Sequence, residues 1–320
     1  MMFKIKNITG SIVFLLGLLV LLNMASLIFQ PKNNTEKHGM EDQRANGILA
    51  EPENTIDVLF IGDSVSYCSV IPIQIWRDHG ITSYLCGTSL QQLYYSKEFL
   101  IKAFAAQTPK VVILETIPVF NNFEYKENIA NAIERKFPLV RYHDRWKQFL
   151  EEGTLDESFR VNYTNREVTK GYYYSSAIEV VEPGDYTKPT EEVAGILADC
   201  KRTLKEIAAY CEKKGAKLIL LNTPNTLTWR PDCHNAIVLL AEELNLEYVD
   251  MNYLSEEVAM DWSKDSFDGG DHLNYYGAQK VTAYLGKYLE NMGIFEDKRT
   301  DNRYESWNED TGVFYESIVK

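Results

Sequence analysis

The sequence predicts an α/β protein with a parallel sheet, preceded by one N-terminal transmembrane helix. Three observations predict it. Apolar runs rich in β-formers recur at 56–61, 81–85, 110–115, 217–222 and 246–250, short and continuous as in strands buried on both faces. Segments of helical periodicity stand between them, and that alternation marks right-handed βαβ units. An apolar stretch from about Ile8 to Phe29 opens the chain and carries no charge from Ile12 to Leu22.

That stretch matches the ~20 helical residues needed to cross a bilayer. Lys4 and Lys6 precede it, so the positive-inside bias puts the N-terminus in the cytoplasm and the rest outside. The expectation is a single-pass protein of the cell membrane, with residues 1–30 as cytoplasmic stub and signal anchor. A cleaved signal peptide is the rival reading, but Ala25-Ser26 is a poor cleavage site and Leu27-Ile28-Phe29 continues the helix. Residues 31–54 are polar and read as a tether with little fixed structure.

Beyond the N-terminus, roughly 270 residues are enough for one large α/β domain. Helices are expected at about 70–79, 89–106, 191–214, 232–244 and 278–289, with Gly215 capping the third of these. Residues 118–190 break the rhythm with Asn121-Asn122, Pro138, Gly153, Gly171 and Pro183-Gly184. They are dense in aromatics, among them Phe120, Phe123, Phe149, Phe159 and Tyr172-Tyr173-Tyr174. An irregular insertion over a strand end reads as a lid or binding wall. Within it, Arg141 to Trp146 concentrates cationic, aromatic and titratable groups. His143 is either part of an acyl or carbohydrate pocket or one of the residues that fasten the insertion. Residues 296–320 read as a polar C-terminal tail with scattered aromatics.

The net charge of −13 has the same sign as nucleic acid, and no such partner is expected. Five cysteines, at 68, 86, 200, 211 and 233, have no metal-site spacing and read as free packed thiols. No metal or organic cofactor is expected.

The chemistry gathers at two places. After the first strand come Gly62, Asp63 and Ser64, at the strand end where open α/β sheets collect ligands. A serine on a turn into a helix has helix amides nearby to stabilise an oxyanion. The plainer reading is that Asp63 or Ser64 caps that helix. Far downstream, 268–277 reads Asp-Gly-Gly-Asp-His-Leu-Asn-Tyr-Tyr-Gly, just before the last helix. His272 supplies a base for Ser64, and Asp268 or Asp271 an acid to hold its tautomer. Asn274 is either a site residue or a helix cap. Cys68, a turn beyond Ser64, is the weaker rival nucleophile.

On these motifs the chain resembles the SGNH (GDSL-type) hydrolase superfamily. More narrowly it resembles the membrane-anchored envelope branch that includes the D-alanyl transfer protein DltD and the alginate-acetylation proteins. The resemblance implies a flavodoxin-like three-layer α/β/α sandwich over residues 55–295. It implies Ser64 as nucleophile and His272 as base. The family's acid sits three residues before the histidine, where this chain has Gly269. Asp268 is favoured over Asp271, because an adjacent residue rarely folds back onto its neighbour's imidazole. Gly87 is the counterpart of the oxyanion glycine. The family's Gly-x-Asn-Asp block is replaced by Glu115-Thr116-Ile117-Pro118, as the envelope branch tends to lack that asparagine. One oxyanion donor is thus unassigned: either the backbone amides of Ser64 and Gly87 suffice, or Glu115 organises the site from behind. The implied activity is hydrolysis or transfer of an acyl group, acetyl or D-alanyl-like, on an envelope polysaccharide, with a membrane-bound O-acyltransferase as partner. The alternative is a catalytically weak polymer-binding scaffold for such a transferase.

Overall fold

The computed structural model describes residues 2–121, 125–147 and 161–319. Asn122, Phe123, Phe149, Gly153 and Phe159 of the expected insertion lie outside them. Contacts divide the chain into two units, Met1–Gln43 with Glu124–Asn165, and Arg44–Phe123 with Arg166–Lys320.

The second unit is a five-stranded parallel sheet in the order β2-β1-β3-β4-β5, the flavodoxin-like order. The strands are β1 (Val58–Gly62), β2 (Ser83–Gly87), β3 (Val111–Glu115), β4 (Lys217–Asn222) and β5 (Glu247–Asp250). Successive side chains on a strand point to opposite faces, so each strand feeds two cores. Leu59, Ile61, Val112, Leu114, Leu218 and Leu220 pack with Phe99, Leu204, Ile207 and Ile237 on one face. Val58, Phe60, Val111, Ile113, Ile219 and Leu221 pack with Ile75, Val281 and Leu285 on the other. Every residue of β1, β2 and β3 is buried, which is why these strands read as unbroken apolar runs. The chain reverses between β1 and β3, so the loops after these strands open a crevice at their C-terminal ends.

Two segments differ from expectation. Within 31–54, the Gly47–Ala50 turn is folded, Ala45 and Ile48 enter the core, and Glu51 is buried. The tail expected at 296–320 contains a helix, Glu305–Val313, and Tyr304, Trp307 and Phe314 are core residues. Apolar burial outweighs the polar composition of both. They are tied together by Lys170, whose ammonium lies 2.6 Å from both Glu51 and Asp310 with no exposure. Lys170→Met leaves the buried Glu51 without its ammonium, while Asp310 keeps Arg166 at 2.8 Å, and is expected to cost about 3 kcal/mol in urea unfolding. A loss below about 1 kcal/mol would show that the pair is solvated in solution.

The helix expected from 191 starts only at Ala198. Ala194 N–H instead donates to Asp232 O at 2.9 Å, and Asn235 Nδ2 donates to Thr190 O and Glu192 O at 2.8 Å each. Those bonds hold the preceding residues against the first turns of the Pro231–Leu244 helix.

The first unit carries α1 (Met2–Phe29). Its Thr9–Phe29 stretch, with mean hydropathy 2.7, is the one helix among the described residues long and apolar enough to cross a membrane. Asn34 is buried and exchanges bonds with Asn165, Nδ2 to O at 2.8 Å and Oδ1 from N at 2.9 Å. This part of the expected tether is therefore also fixed in place.

Candidate active site

Four strand ends build the site. β1 ends at Gly62, which has no room for a side chain. A Cβ there would stand 2.6 Å from Glu115 Cβ and 2.7 Å from Ser66 Cβ. Asp63 then caps the short helix Ser64–Ser69, its Oδ1 accepting from Val65 N–H at 3.1 Å. The cap is thus Asp63, and Ser64 is the first helical residue. Gly87 pairs with Gly62 in register at the end of β2.

Ser64 opens onto a cavity of about 360 Å³. Asp63, Asp271, Asn222 and Thr228 give it polar wall, and Leu90, Ile117, Phe120, Leu227 and Trp229 give it apolar wall.

The histidine loop explains the displaced acid. Gly269 and Gly270 both have positive φ, 78° and 95°. This turn returns the chain so that Asp268 faces a residue four positions on. Asp268 Oδ1 accepts from His272 N–H at 2.8 Å, and its Oδ2 lies 2.5 Å from His272 Nδ1. Asp271 Oδ2 is 3.6 Å from the same nitrogen, beyond hydrogen-bond length, and its Oδ1 is engaged by Asn225 Nδ2 at 2.9 Å. Phe267 stacks on the imidazole at 5.7 Å between centroids. His272 Nε2 is buried without a partner.

Asn274 is turned into the protein. Its Oδ1 caps the Tyr275–Asn291 helix through Tyr276 and Gly277 N–H, and its Nδ2 donates to Ala177 O and Lys264 O. It is wholly buried and clamps the histidine loop. His143 belongs to the first unit, largely exposed, with Nδ1 3.0 Å from Val140 O. Burial pushes the Cys68 thiol well above its ordinary value, so this rival nucleophile holds little thiolate at neutral pH.

Glu115 is buried between strands and gathers four donors. Asn222 Nδ2 (2.8 Å) and Thr116 N–H (3.0 Å) reach Oε1; Thr223 N–H (3.1 Å) and Oγ (3.0 Å) reach Oε2. Sequence reading missed Asn222. Its position at the C-terminal end of a parallel strand was the available signal.

Burial, reinforced by Asp63, pushes Glu115 up to about 8, and burial pushes Asp63 up to about 6. The folded chain therefore keeps protons that the unfolded chain has lost. For Glu115, stability falls as pH rises from near 4.5 towards about 8. Glu115→Gln removes this titration but turns an NH2 toward an N–H donor, at a cost of about 1–3 kcal/mol. The expected result is a melting-temperature deficit of the variant that is largest near pH 5 and shrinks by pH 9. A deficit that stays constant with pH would mean that Glu115 is ionised throughout.

Asp268, Asp271 and His272 also place ligand atoms within 4.8 Å of one another, the spacing a metal ion uses. The short Asp268–His272 contact already occupies Nδ1, so the trio is arranged as a hydrogen-bonded pair with a third carboxylate beside it.

No family model and no curated protein matches the chain. Solved structures similar to it include the lipase/acylhydrolase of Enterococcus faecalis, at 11% identity and TM-score 0.39, covering 74% of this chain and 97% of that one. The psychrotrophic esterase EstA of a Pseudoalteromonas species is 9% identical, with TM-score 0.39, over 75% and 99%. The acetylxylan esterase Axe2 of Geobacillus stearothermophilus is 15% identical, with TM-score 0.37, over 78% and 99%. Likeness at that level transfers no activity to this chain.

Proposed function

We propose that the chain is a serine esterase or O-acyltransferase of the SGNH type, with Ser64 as nucleophile, His272 as base and Asp268 as the acid that orients it. One observation carries this reading. His272 is gripped by Asp268 through Nδ1, while its Nε2 is buried and unpartnered, and the neighbouring Asp271 lines the same cavity as Ser64. In the reaction, Ser64 Oγ attacks the ester carbonyl and its proton passes to Nε2. The tetrahedral oxyanion collapses, the alcohol leaves with that proton, and an acyl-serine remains. Water or a sugar hydroxyl then repeats the sequence in reverse, releasing acid or a new ester.

The backbone N–H groups of Ser64 and Gly87 are the proposed oxyanion donors. Asn222 is proposed in place of the absent asparagine. It lines the cavity and has given one of its two amide hydrogens to Glu115. The Thr9–Phe29 helix supports placing the domain outside the cell membrane. The resemblance to the membrane-anchored envelope branch is what points to an acyl ester, acetyl or similar, on an envelope polysaccharide as substrate, and to a membrane-bound O-acyltransferase as partner. The test is labelling of the full chain in detergent with a serine-reactive fluorophosphonate. Labelling of wild type that vanishes in Ser64→Ala supports the reading, and folded wild type that does not label overturns it.

A further inference from the structure

In the first unit, α5 here denotes Tyr125–Lys136 and α6 denotes Pro138–Tyr142, numbered after the helices 2–29, 64–69, 72–79 and 93–103 and leaving out the single turn Gln43–Asn46. Helix α5 is turned the wrong way round for water. Tyr125, Ile129 and Ile133 recur every four residues and so form one ridge. They are 55%, 55% and 45% exposed, whereas Asn128 is buried. A helix at a water surface shows the opposite order. Val140 of α6 and Trp146 just beyond it are also about half exposed.

The depth of this surface is set by α1. Leu139 N–H lies 3.4 Å from Ser26 Oγ, and Arg145 Nη1 donates to Phe29 O at 2.9 Å and to Gln30 O. Ser26 and Phe29 are in the last turn of the Thr9–Phe29 stretch. The end of a span lies where hydrocarbon meets headgroups, and a segment bonded to that turn is held at the same level. The composition fits that level. Tyr and Trp are the residues enriched there, Lys126, Arg135 and Lys136 stand on the same helix as the ridge and Lys147 follows Trp146, and residues 125–147 carry six Lys and Arg against three Asp and Glu in a chain of net charge −13.

We infer that residues 125–147 form a second membrane contact, lying in the bilayer surface with Tyr125, Ile129, Ile133 and Trp146 entering the headgroup–acyl boundary where α1 ends. This rests on the reading of Thr9–Phe29 as a retained span.

The test uses the full chain in phosphatidylcholine–phosphatidylglycerol vesicles with acyl chains brominated near the headgroup. The difference in emission between wild type and Trp146→Phe isolates Trp146. That difference is expected to be quenched at least twofold by the brominated lipid. Ile129→Asp with Ile133→Asp, both at exposed positions, is expected to relieve the quenching while the chain still floats with the vesicles after an alkaline carbonate wash. Unquenched Trp146 in a chain that floats overturns the inference and leaves the anchor standing, as does unchanged quenching in the double variant. A chain that carbonate releases overturns the anchor reading and the inference with it.

Discussion

His272→Ala is expected to lower kcat/KM for a small activated ester by about a thousandfold to a millionfold, with circular dichroism and melting temperature little changed. The imidazole is the only proposed acceptor for the Ser64 proton, and without it the hydroxyl attacks at its unactivated pKa. Ser64→Ala should cost as much, and the double variant no more than either single one, because nucleophile and base act as a unit. The histidine side chain is about one-sixth exposed, so its removal leaves a space that small molecules can reach. Added imidazole should therefore restore part of the rate in His272→Ala and none in Ser64→Ala. Additive losses, or equal rescue of both, would mean that the two residues do not share one step. Full activity without either would transfer the chemistry to another part of the chain.

The parts of this site legible in the sequence share a physical cause. β1 reads as a strand because all five of its residues are buried, and Gly62-Asp63-Ser64 stands out because it ends that run. The late Asp-Gly-Gly-Asp-His loop stands out because histidine is scarce, with five in the chain. The loop's acid could be narrowed to two residues, but the geometry turns on two positive-φ glycines that spacing alone does not reveal. Asn222 escaped notice because its partner Glu115 lies 107 residues away, on the adjacent strand. The folded ends escaped for a related reason. Tyr304, Trp307 and Phe314 do fall at helical spacing, but three aromatics among polar residues make a stripe too thin to stand out from the acidic sequence around it. The pairing of Lys170 with Asp310 spans 140 residues and leaves no local trace.

Asp268→Asn separates the two candidate acids, and the expected loss is about ten-thousandfold in kcat/KM. The carboxylate makes both contacts that orient the ring, one to the His272 N–H and one to Nδ1. An asparagine in its place can turn its NH2 toward Nδ1. That fixes the tautomer with the proton on Nε2, which can then no longer accept from Ser64. Asp271→Asn removes a charge whose nearest oxygen is 3.6 Å from Nδ1 and whose other oxygen is held by Asn225. It weakens only the field that favours the imidazolium, at an expected loss below about tenfold. Rates measured from pH 5 to 9 distinguish the two effects. A wrong tautomer depresses the rate across the whole range, whereas a lost field leaves the plateau near wild type. If Asp271→Asn proved the more damaging, the acid would be the residue adjacent to the histidine. The 2.5 Å contact of Asp268 would then serve only to shape the loop.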